Sequence, residues 1–241
     1  MTDRILITGA NRGIGLEMTR QAAAAGHHVT AACRTPEAAD ALNDLATQVQ
    51  AQGSGSITVI GMEVRDEESV RAAAAKVGGL DLVVCNAGTL NARGGLTDAG
   101  HTPENIAESL MTNIAGVFFT ARHFLANLKT GAADRPEGTI PRIAVISSQM
   151  GSSERAGTTA PIYRATKAAA TNLARSMALE LADDGIAVGA WHPGWVQTDM
   201  GGAGAAITAE VSARGLLQRF AALDMATSGV FETYEGERMP F

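Results

Sequence analysis

Residues 4–15 read Arg-Ile-Leu-Ile-Thr-Gly-Ala-Asn-Arg-Gly-Ile-Gly, an apolar run of strand length followed by a glycine-rich turn. A helical pattern begins at about residue 13, so the glycines lie where a strand passes into a helix. Glycines at such a junction permit a tight turn and close approach of a phosphate, and the free N–H groups at the helix start favour an anion. A glycine-rich turn alone is a weak signal. Its place after the first strand makes it a candidate nucleotide site.

The rest of the chain repeats this alternation of apolar runs and Ala-rich helical stretches. Strands are predicted at residues 4–8, 28–33, 57–62, 80–85, 140–147 and 185–191, and helices at about 13–25, 36–52, 66–76, 103–129, 161–183 and 205–222. Continuous apolar strands separated by helices indicate a mostly parallel sheet covered on both faces. Right-handed crossovers then give a doubly wound α/β fold. Because no linker divides the sequence, residues 1–241 are predicted to form a single domain; the segment 229–241 has no clear pattern.

Composition excludes several classes of function. The 241 residues are 46% hydrophobic and 18% charged, with a net charge of −6 and no basic cluster, so a nucleic-acid partner is not expected. Cys33 and Cys85 lie in apolar runs and are predicted to be buried thiols rather than a disulfide. No apolar run reaches about 18 residues, which predicts no membrane span. The N-terminus lacks a signal-peptide pattern, so a cytoplasmic location is expected. No metal site is predicted.

Tyr163 and Lys167 stand four residues apart at the head of a helical run. Side chains at this spacing share one face of a helix. An ammonium beside a phenol stabilises the phenolate, so the sequence predicts a phenol pKa below about 10 and a role in proton transfer.

Five ordered motifs resemble those of the short-chain dehydrogenase/reductase superfamily. They are Thr-Gly-x-x-x-Gly-Ile-Gly at residues 8–15, Asn86–Ala87–Gly88 with the helix-borne Asn113, Ile146–Ser147–Ser148, Tyr163-x-x-x-Lys167 and Pro193–Gly194. The resemblance covers nearly the whole chain and implies a Rossmann fold. It also implies hydride transfer between a nicotinamide and a carbonyl or alcohol carbon.

The resemblance assigns a role to each of four side chains. It makes Tyr163 the general acid in reduction and the general base in oxidation. Lys167 would lower the pKa of Tyr163 and bind the nicotinamide ribose, and Ser148 would hold the substrate oxygen. Asn113 would anchor a water that connects Lys167 to solvent.

Two other serines are alternatives to Ser148 for holding the substrate oxygen. Ser148 precedes Tyr163 by fifteen residues, slightly more than is common in the family, and the extra length falls in the loop 152–159. Ser147 and Ser152 are the alternatives. Ser147 is expected to point into the sheet, because strand neighbours face opposite sides. Ser148 is therefore preferred.

Charge at the end of the second strand indicates the cofactor. NAD-specific sites usually have an acidic residue there to hold the adenosine ribose. This chain has Cys33 followed by Arg34, and Arg12 lies in the glycine loop. Two guanidiniums suit a 2′-phosphate, because arginine makes charge-assisted contacts to phosphate. NADP(H) is therefore predicted in preference to NAD(H).

The predicted cofactor site draws on several segments. Its residues are Gly9, Asn11, Arg12, Gly13, Ile14, Gly15, Arg34, Glu63, Val64, Asn86, Ala87, Gly88, Tyr163, Lys167, Pro193, Gly194, Val196 and Thr198. Glu63 would accept a hydrogen bond from adenine, although the family often has an aspartate there. Residues 148–152, 163–167 and 191–202 are similar to the C-factor and sniffer-type carbonyl reductase branch. In that branch a movable substrate lid would cover about 199–222.

These observations favour an NADP(H)-dependent carbonyl reductase or alcohol dehydrogenase acting on a small-molecule carbonyl or alcohol. The alternative is a signalling or NADP-sensing protein of the C-factor type, in which cofactor binding matters more than turnover. The natural substrate stays open. Assembly is open too, because homodimers, homotetramers and monomers all fit the resemblance.

Overall fold

A seven-stranded parallel sheet forms the centre of the computed structural model, which describes residues 2–241. The strands are β1 (Arg4–Thr8), β2 (His28–Cys33), β3 (Ser56–Gly61), β4 (Leu82–Cys85), β5 (Arg142–Ile146), β6 (Ala187–His192) and β7 (Phe231–Thr233). Their order across the sheet is β3-β2-β1-β4-β5-β6-β7, and every pairing is parallel. The order in which the strands are added reverses at β1: β2 and β3 lie on one side of it, and β4 to β7 lie on the other. The switch point of the sheet is therefore between β1 and β4. A crevice at the carboxyl ends of the strands is expected at such a point, and ligands of open α/β sheets bind there.

Helices cover both faces of this sheet. They are α1 (Gly13–Ala24), α2 (Asp40–Gln52), α3 (Glu67–Ala74), α4 (Pro103–Leu110), α5 (Gly116–Ala133), α6 (Pro161–Glu180) and α7 (Ala209–Ala222). The predicted doubly wound α/β fold is therefore confirmed.

Two apolar cores lie on opposite faces of the sheet, because successive strand residues point to opposite sides. Leu6 belongs to one core together with Phe124 of α5. Its neighbour Ile7 belongs to the other, with Met18 of α1 and Phe220 of α7. Burial of each large apolar side chain contributes about 1.5–3 kcal/mol, so these layers hold the strand ends that carry the site in place.

The structure corrects three predicted elements. The helix predicted at 103–129 is divided into α4 and α5 by a π-helical turn at Met111–Ala115. The ambiguous tail contains β7, which pairs with β6. The last helix begins at Ala209 rather than 205, because the Thr208 hydroxyl caps it by accepting a hydrogen bond from the Val211 amide at 3.3 Å.

The segment of the predicted lid, at about 199–222, includes the helix α7. Leu216 and Phe220 of α7 are fully buried, and Phe220 packs edge-on against Trp191 with ring centroids 5.0 Å apart. The inner face of α7 is therefore packed in the core, whereas residues 199–208 lie outside this helix; movement of the segment 199–222 stays a prediction. Within residues 2–241, no helix is both long enough and apolar enough to span a membrane.

Candidate active site

A cleft with a volume of about 890 Å³ opens at the carboxyl ends of the strands. It brings together most of the predicted cofactor residues from six separate segments. Those in its wall are Gly9, Asn11, Arg12, Gly13, Ile14, Gly15, Arg34, Glu63, Val64, Asn86, Ala87, Gly88, Tyr163, Lys167, Pro193 and Thr198. Gly194 and Val196 do not line the cleft; Gly194 forms a turn with a φ of +88° against Ile207.

The glycine loop has the geometry of an anion cradle. Gly9 and Gly13 adopt positive φ values of +65° and +53°, a region that other residues rarely occupy. A Cβ added at Gly15 would lie 2.6 Å from the Asn86 Nδ2 and would also collide with the Gly9 carbonyl. The first turn of α1 carries no acidic residue and no side-chain cap. Its N–H groups are therefore available to an anion, and these residues fit a dinucleotide pyrophosphate.

Asn86 fixes this loop to the neighbouring strand. Its Nδ2 donates hydrogen bonds to the Thr8 carbonyl at 2.8 Å and to the Gly9 carbonyl at 3.2 Å. The Thr8 hydroxyl accepts in return from the backbone amides of Asn86 and Ala87, both at 3.0 Å. Four bonds between the ends of β1 and β4 therefore hold the mouth of the cleft. The sequence motif included Thr8 but did not identify it as a site residue.

Tyr163 and Lys167 lie in the first two turns of α6 and share the cleft. The Lys167 Nζ lies 5.7 Å from the centre of the Tyr163 ring. It donates a hydrogen bond of 2.8 Å to the Ile146 carbonyl at the end of β5. Lys167 is buried, with 5% of its surface exposed, whereas Tyr163 is half-buried. The predicted pair therefore faces the same space as the glycine loop.

Burial shifts both groups toward their neutral forms. It raises the pKa of Tyr163 to about 12, although the Ser148 hydroxyl and the Arg93 guanidinium act in the opposite direction. It lowers the pKa of Lys167 to about 8. The predicted fall in the phenol pKa is thus wrong for the free protein. The reason is that removal from water penalises the phenolate, while the ammonium bonds a carbonyl rather than the phenol oxygen.

The structure separates the three candidate serines. Ser147 lines the cleft, but its hydroxyl is bonded to the Lys167 carbonyl at 3.0 Å and to the Thr171 hydroxyl at 2.6 Å. The buried Ser152 hydroxyl has no partner among residues 2–241. The Ser148 oxygen accepts from the Met150 amide at 3.1 Å, which leaves its own proton free to donate. Ser148 does not line the cleft itself, but it acts on the phenol of Tyr163, which does, so it is the serine that suits a carbonyl oxygen.

Asn113 is fully buried in the π-helical turn between α4 and α5. Its Nδ2 donates to the Thr89 carbonyl at 2.9 Å and to the Thr166 hydroxyl at 3.0 Å, and its Oδ1 accepts from the Thr89 amide at 2.9 Å. A Cβ added at Gly88 would lie 3.3 Å from the Asn113 Oδ1 and 3.4 Å from the Lys167 Nζ. Asn113 is therefore adjacent to Lys167 but does not line the cleft. Its relay water stays a prediction.

The charged residues around the adenosine end are only partly paired. Arg12 is exposed and contacts Asp199 at 3.2 Å. Arg34 is exposed and forms no ion pair within residues 2–241. The Glu63 carboxylate accepts from the Arg65 guanidinium at 2.8 Å; burial opposes its ionisation, but Arg65 holds its pKa below the usual value. Arg34 is thus free to meet a phosphate, whereas Arg12 is already paired with Asp199. The contact of Glu63 with adenine stays a prediction.

The fold and cleft define a Rossmann-type α/β protein with a crevice at the switch point of its sheet. The family model for short chain dehydrogenase matches residues 3–206, and the chain belongs to that family of oxidoreductases. The predicted resemblance is confirmed.

Named relatives place the chain near the predicted branch. It is 34% identical to the C-signal protein of Myxococcus xanthus over 165 residues, which are 68% of this chain and 94% of that protein. The NADPH-bound carbonyl reductase from chicken fatty liver superposes with a TM-score of 0.87 at 32% identity, covering 100% of this chain and 99% of that one. The carbonyl reductase Sniffer of Drosophila melanogaster gives a TM-score of 0.87 at 28% identity, with 100% of both chains covered.

Proposed function

We propose that the protein is an NADP(H)-dependent reductase of small carbonyl compounds, which also oxidises the corresponding alcohols. The observation that carries this proposal is that Tyr163 and Lys167 line the same cleft as the glycine loop, while the Ser148 hydroxyl acts on the Tyr163 phenol. A protein that only bound a dinucleotide would not need a proton donor beside a free serine hydroxyl.

Tyr163 is the proton donor in the proposed reaction. Bound NADPH would supply the hydride. With a pKa near 12 the phenol is protonated at neutral pH, so it can give its proton to the carbonyl oxygen as negative charge develops there. The Ser148 hydroxyl donates a second hydrogen bond to the same oxygen and fixes its position.

Lys167 stabilises the phenolate that remains. Its pKa of about 8 leaves most of the amine charged at neutral pH, and its bond to Ile146 fixes Nζ beside the Tyr163 ring. Through its other protons it would hold the ribose hydroxyls of the cofactor. Asn113 lies beside Gly88, as Lys167 does, and would support the water that returns a proton to Tyr163 and Lys167.

Arg34 and Arg12 are proposed to select NADP(H) by binding its 2′-phosphate. Arg34 follows β2 with no acidic residue in the ribose-binding position, and both guanidiniums line the cleft. The chicken carbonyl reductase has NADPH bound, and a short chain dehydrogenase from Burkholderia cenocepacia is in complex with NADP; they are 32% and 27% identical to this chain. NAD(H) lacks the phosphate and is expected to bind more weakly.

Similarity to the C-signal protein favours a second candidate, a signalling protein in which the cofactor is bound but turnover is unimportant. Both candidates predict NADPH binding, so binding alone does not separate them. The intact set of Tyr163, Lys167, Ser148 and Asn113 supports the enzyme.

Turnover of NADPH tests the proposal. The protein is mixed with NADPH and a panel of aldehydes and quinones, and the loss of NADPH absorbance is followed; NADPH binding is measured in parallel by fluorescence. Carbonyl-dependent oxidation is expected. Clear binding without oxidation of NADPH by any compound would favour the signalling candidate instead.

Lid movement and assembly remain proposals of smaller scope. Residues 199–208 would close over bound substrate, because they connect the cleft to the anchored helix α7. Association through α4–α5 or α6 would cover side chains such as Phe118, which is 43% exposed on α5.

A further inference from the structure

Arg93 is a charged residue at the mouth of the cleft that the sequence did not indicate. It follows β4 in the loop 89–102 and lines the cleft together with Tyr163 and Met200. Its guanidinium lies close enough to Tyr163 to act on the phenol. No motif includes it, so only the folded structure connects it with the site.

The backbone beside Arg93 is fixed to the helix that carries Tyr163. The Gly94 carbonyl accepts a hydrogen bond of 2.8 Å from the Ala160 amide, immediately before α6 begins. The Gly94 amide donates to the Asp98 carboxylate at 2.6 Å. Arg93 is thus held at a defined place relative to Tyr163 rather than on a free loop.

The guanidinium itself is oriented without being neutralised. Its Nη2 donates to the Met200 carbonyl at 2.6 Å, and no carboxylate of residues 2–241 lies within ion-pair distance. The nearby acid Asp98 is used by the amides of Gly94 and Gly100. One carbonyl uses one of five N–H donors, so the remaining donors can receive a planar anion in two-point contact.

We propose that Arg93 binds a carboxylate of the substrate, so that the preferred substrates are aldehydes or ketones that carry a carboxylate. This rests on the proposed function and adds its substrate class. The carbonyl oxygen would lie at Tyr163 and Ser148, and the carboxylate at Arg93. A single guanidinium matches the charge and shape of one carboxylate better than those of a phosphate dianion, which favours several cations.

Matched substrates test this inference on the NADPH-loaded enzyme. The ratio kcat/KM is measured for para- and meta-carboxybenzaldehyde and for their methyl esters, which keep the aldehyde and remove the charge. For whichever carboxybenzaldehyde is the better substrate, kcat/KM is expected to exceed that of its methyl ester by about ten-fold. This is the factor that one charge-assisted hydrogen bond contributes. The difference is expected in KM, because the contact is made before the chemical step as well as during it.

Variants identify the residue responsible. Arg93→Gln is expected to remove the preference for the acid, and Arg93→Lys to restore part of it by keeping the charge. Arg155→Gln is the matched control; Arg155 is an exposed arginine of the neighbouring loop that bonds Gln149 at 3.2 Å and does not line the cleft. It is expected to leave both substrates unaffected.

Four outcomes would overturn the inference. Equal kcat/KM for acids and esters in the wild type would reject a carboxylate site while leaving the proposed reductase intact. An acid preference that survives in Arg93→Gln, or that falls equally in Arg155→Gln, would reject Arg93 as its source. No oxidation of NADPH by any aldehyde would reject the proposed function, and this inference with it.

Discussion

The two ends of the parallel sheet differ in whether they contain arginines that lack a carboxylate partner. At the amino ends of the strands, Arg4 and Arg135 both contact Asp81, which is 2% exposed. At the carboxyl ends, Arg34 and Arg93 have no carboxylate partner among residues 2–241. The contacts with Asp81 stabilise the fold, whereas the guanidiniums of Arg34 and Arg93 are available to bind an anionic ligand. One end therefore contributes stability and the other contributes binding, and substitutions at each end should affect different measurements.

Tyr163→Phe should give the largest effect, a loss of activity at the carboxyl ends of the strands without a loss of stability. Loss of the proton donor is expected to lower kcat for carbonyl reduction by about 10²–10⁴-fold, the usual contribution of a general acid. NADPH affinity and the melting temperature should change little. The chain's other tyrosine provides the control, since Tyr234→Phe removes a hydroxyl outside the cleft. Equal activity of wild type and Tyr163→Phe would remove the phenol from the mechanism.

Asp81→Asn should give the largest effect on stability. It leaves two guanidiniums without their shared carboxylate, and losing one partner of a buried pair costs about 3–5 kcal/mol. Urea unfolding should show this loss, whereas the kcat of the folded fraction stays unchanged. Asp134→Asn is the matched control: it removes a contact with the same Arg4, but its side chain is 59% exposed, so less than about 1 kcal/mol is expected.

Acid titration of unfolding tests the same cluster. Burial opposes ionisation of Asp81, but hydrogen bonds from Arg135 and Arg4 prevail and lower its pKa from 3.8 to about 2. The unfolded chain then binds the proton first as pH falls. The carboxylate thus contributes roughly 2 kcal/mol above about pH 4, and this is lost as pH falls toward 2. Asp81→Asn should lack this part of the acid dependence; an unchanged acid profile would contradict the assignment.

Most of the fold could be predicted from the sequence, because its decisive signals are local. The predicted limits of β1 and β2 agree with the structure residue for residue. The strand β7 was missed because its three residues are too few to show a pattern. The π-helical turn at Met111–Ala115 was missed because the apolar pattern continues through it, while Asn113 is held there by Thr89 and Thr166.

The sequence motifs were enough to predict which residues form the site, but not their pKa values or their ion pairs. The glycine loop, Tyr163 and Lys167 have fixed local spacings that indicate their chemistry. The pKa of Tyr163 depends instead on burial by distant segments, and its predicted direction was wrong for the free protein. The partner of Arg12 is 187 residues away, and no local pattern indicates that distance.

Arg34→Gln should reduce selection of NADPH over NADH. Loss of one charge-assisted contact to the 2′-phosphate is expected to raise the NADPH dissociation constant about ten-fold. NADH has no phosphate at that position and acts as the internal control, so its affinity should stay the same. Fluorescence titration measures both. Equal weakening of the two cofactors would show that Arg34 supports the loop after β2 rather than the phosphate.

Asp199→Asn should give the smallest effect, and it should strengthen NADPH binding whereas Arg34→Gln weakens it. Asp199 and Arg12 are both exposed, with 80% and 65% of their side chains accessible, so their ion pair is worth less than about 1 kcal/mol. Removing the carboxylate frees Arg12 for the cofactor, and NADPH should bind about two-fold more tightly at low salt. Higher salt should reduce the gain, because exposed charges are screened. In an Arg12→Gln background the gain should vanish; if it persists there, Asp199 acts on the cofactor by general repulsion and Arg12 is not its target.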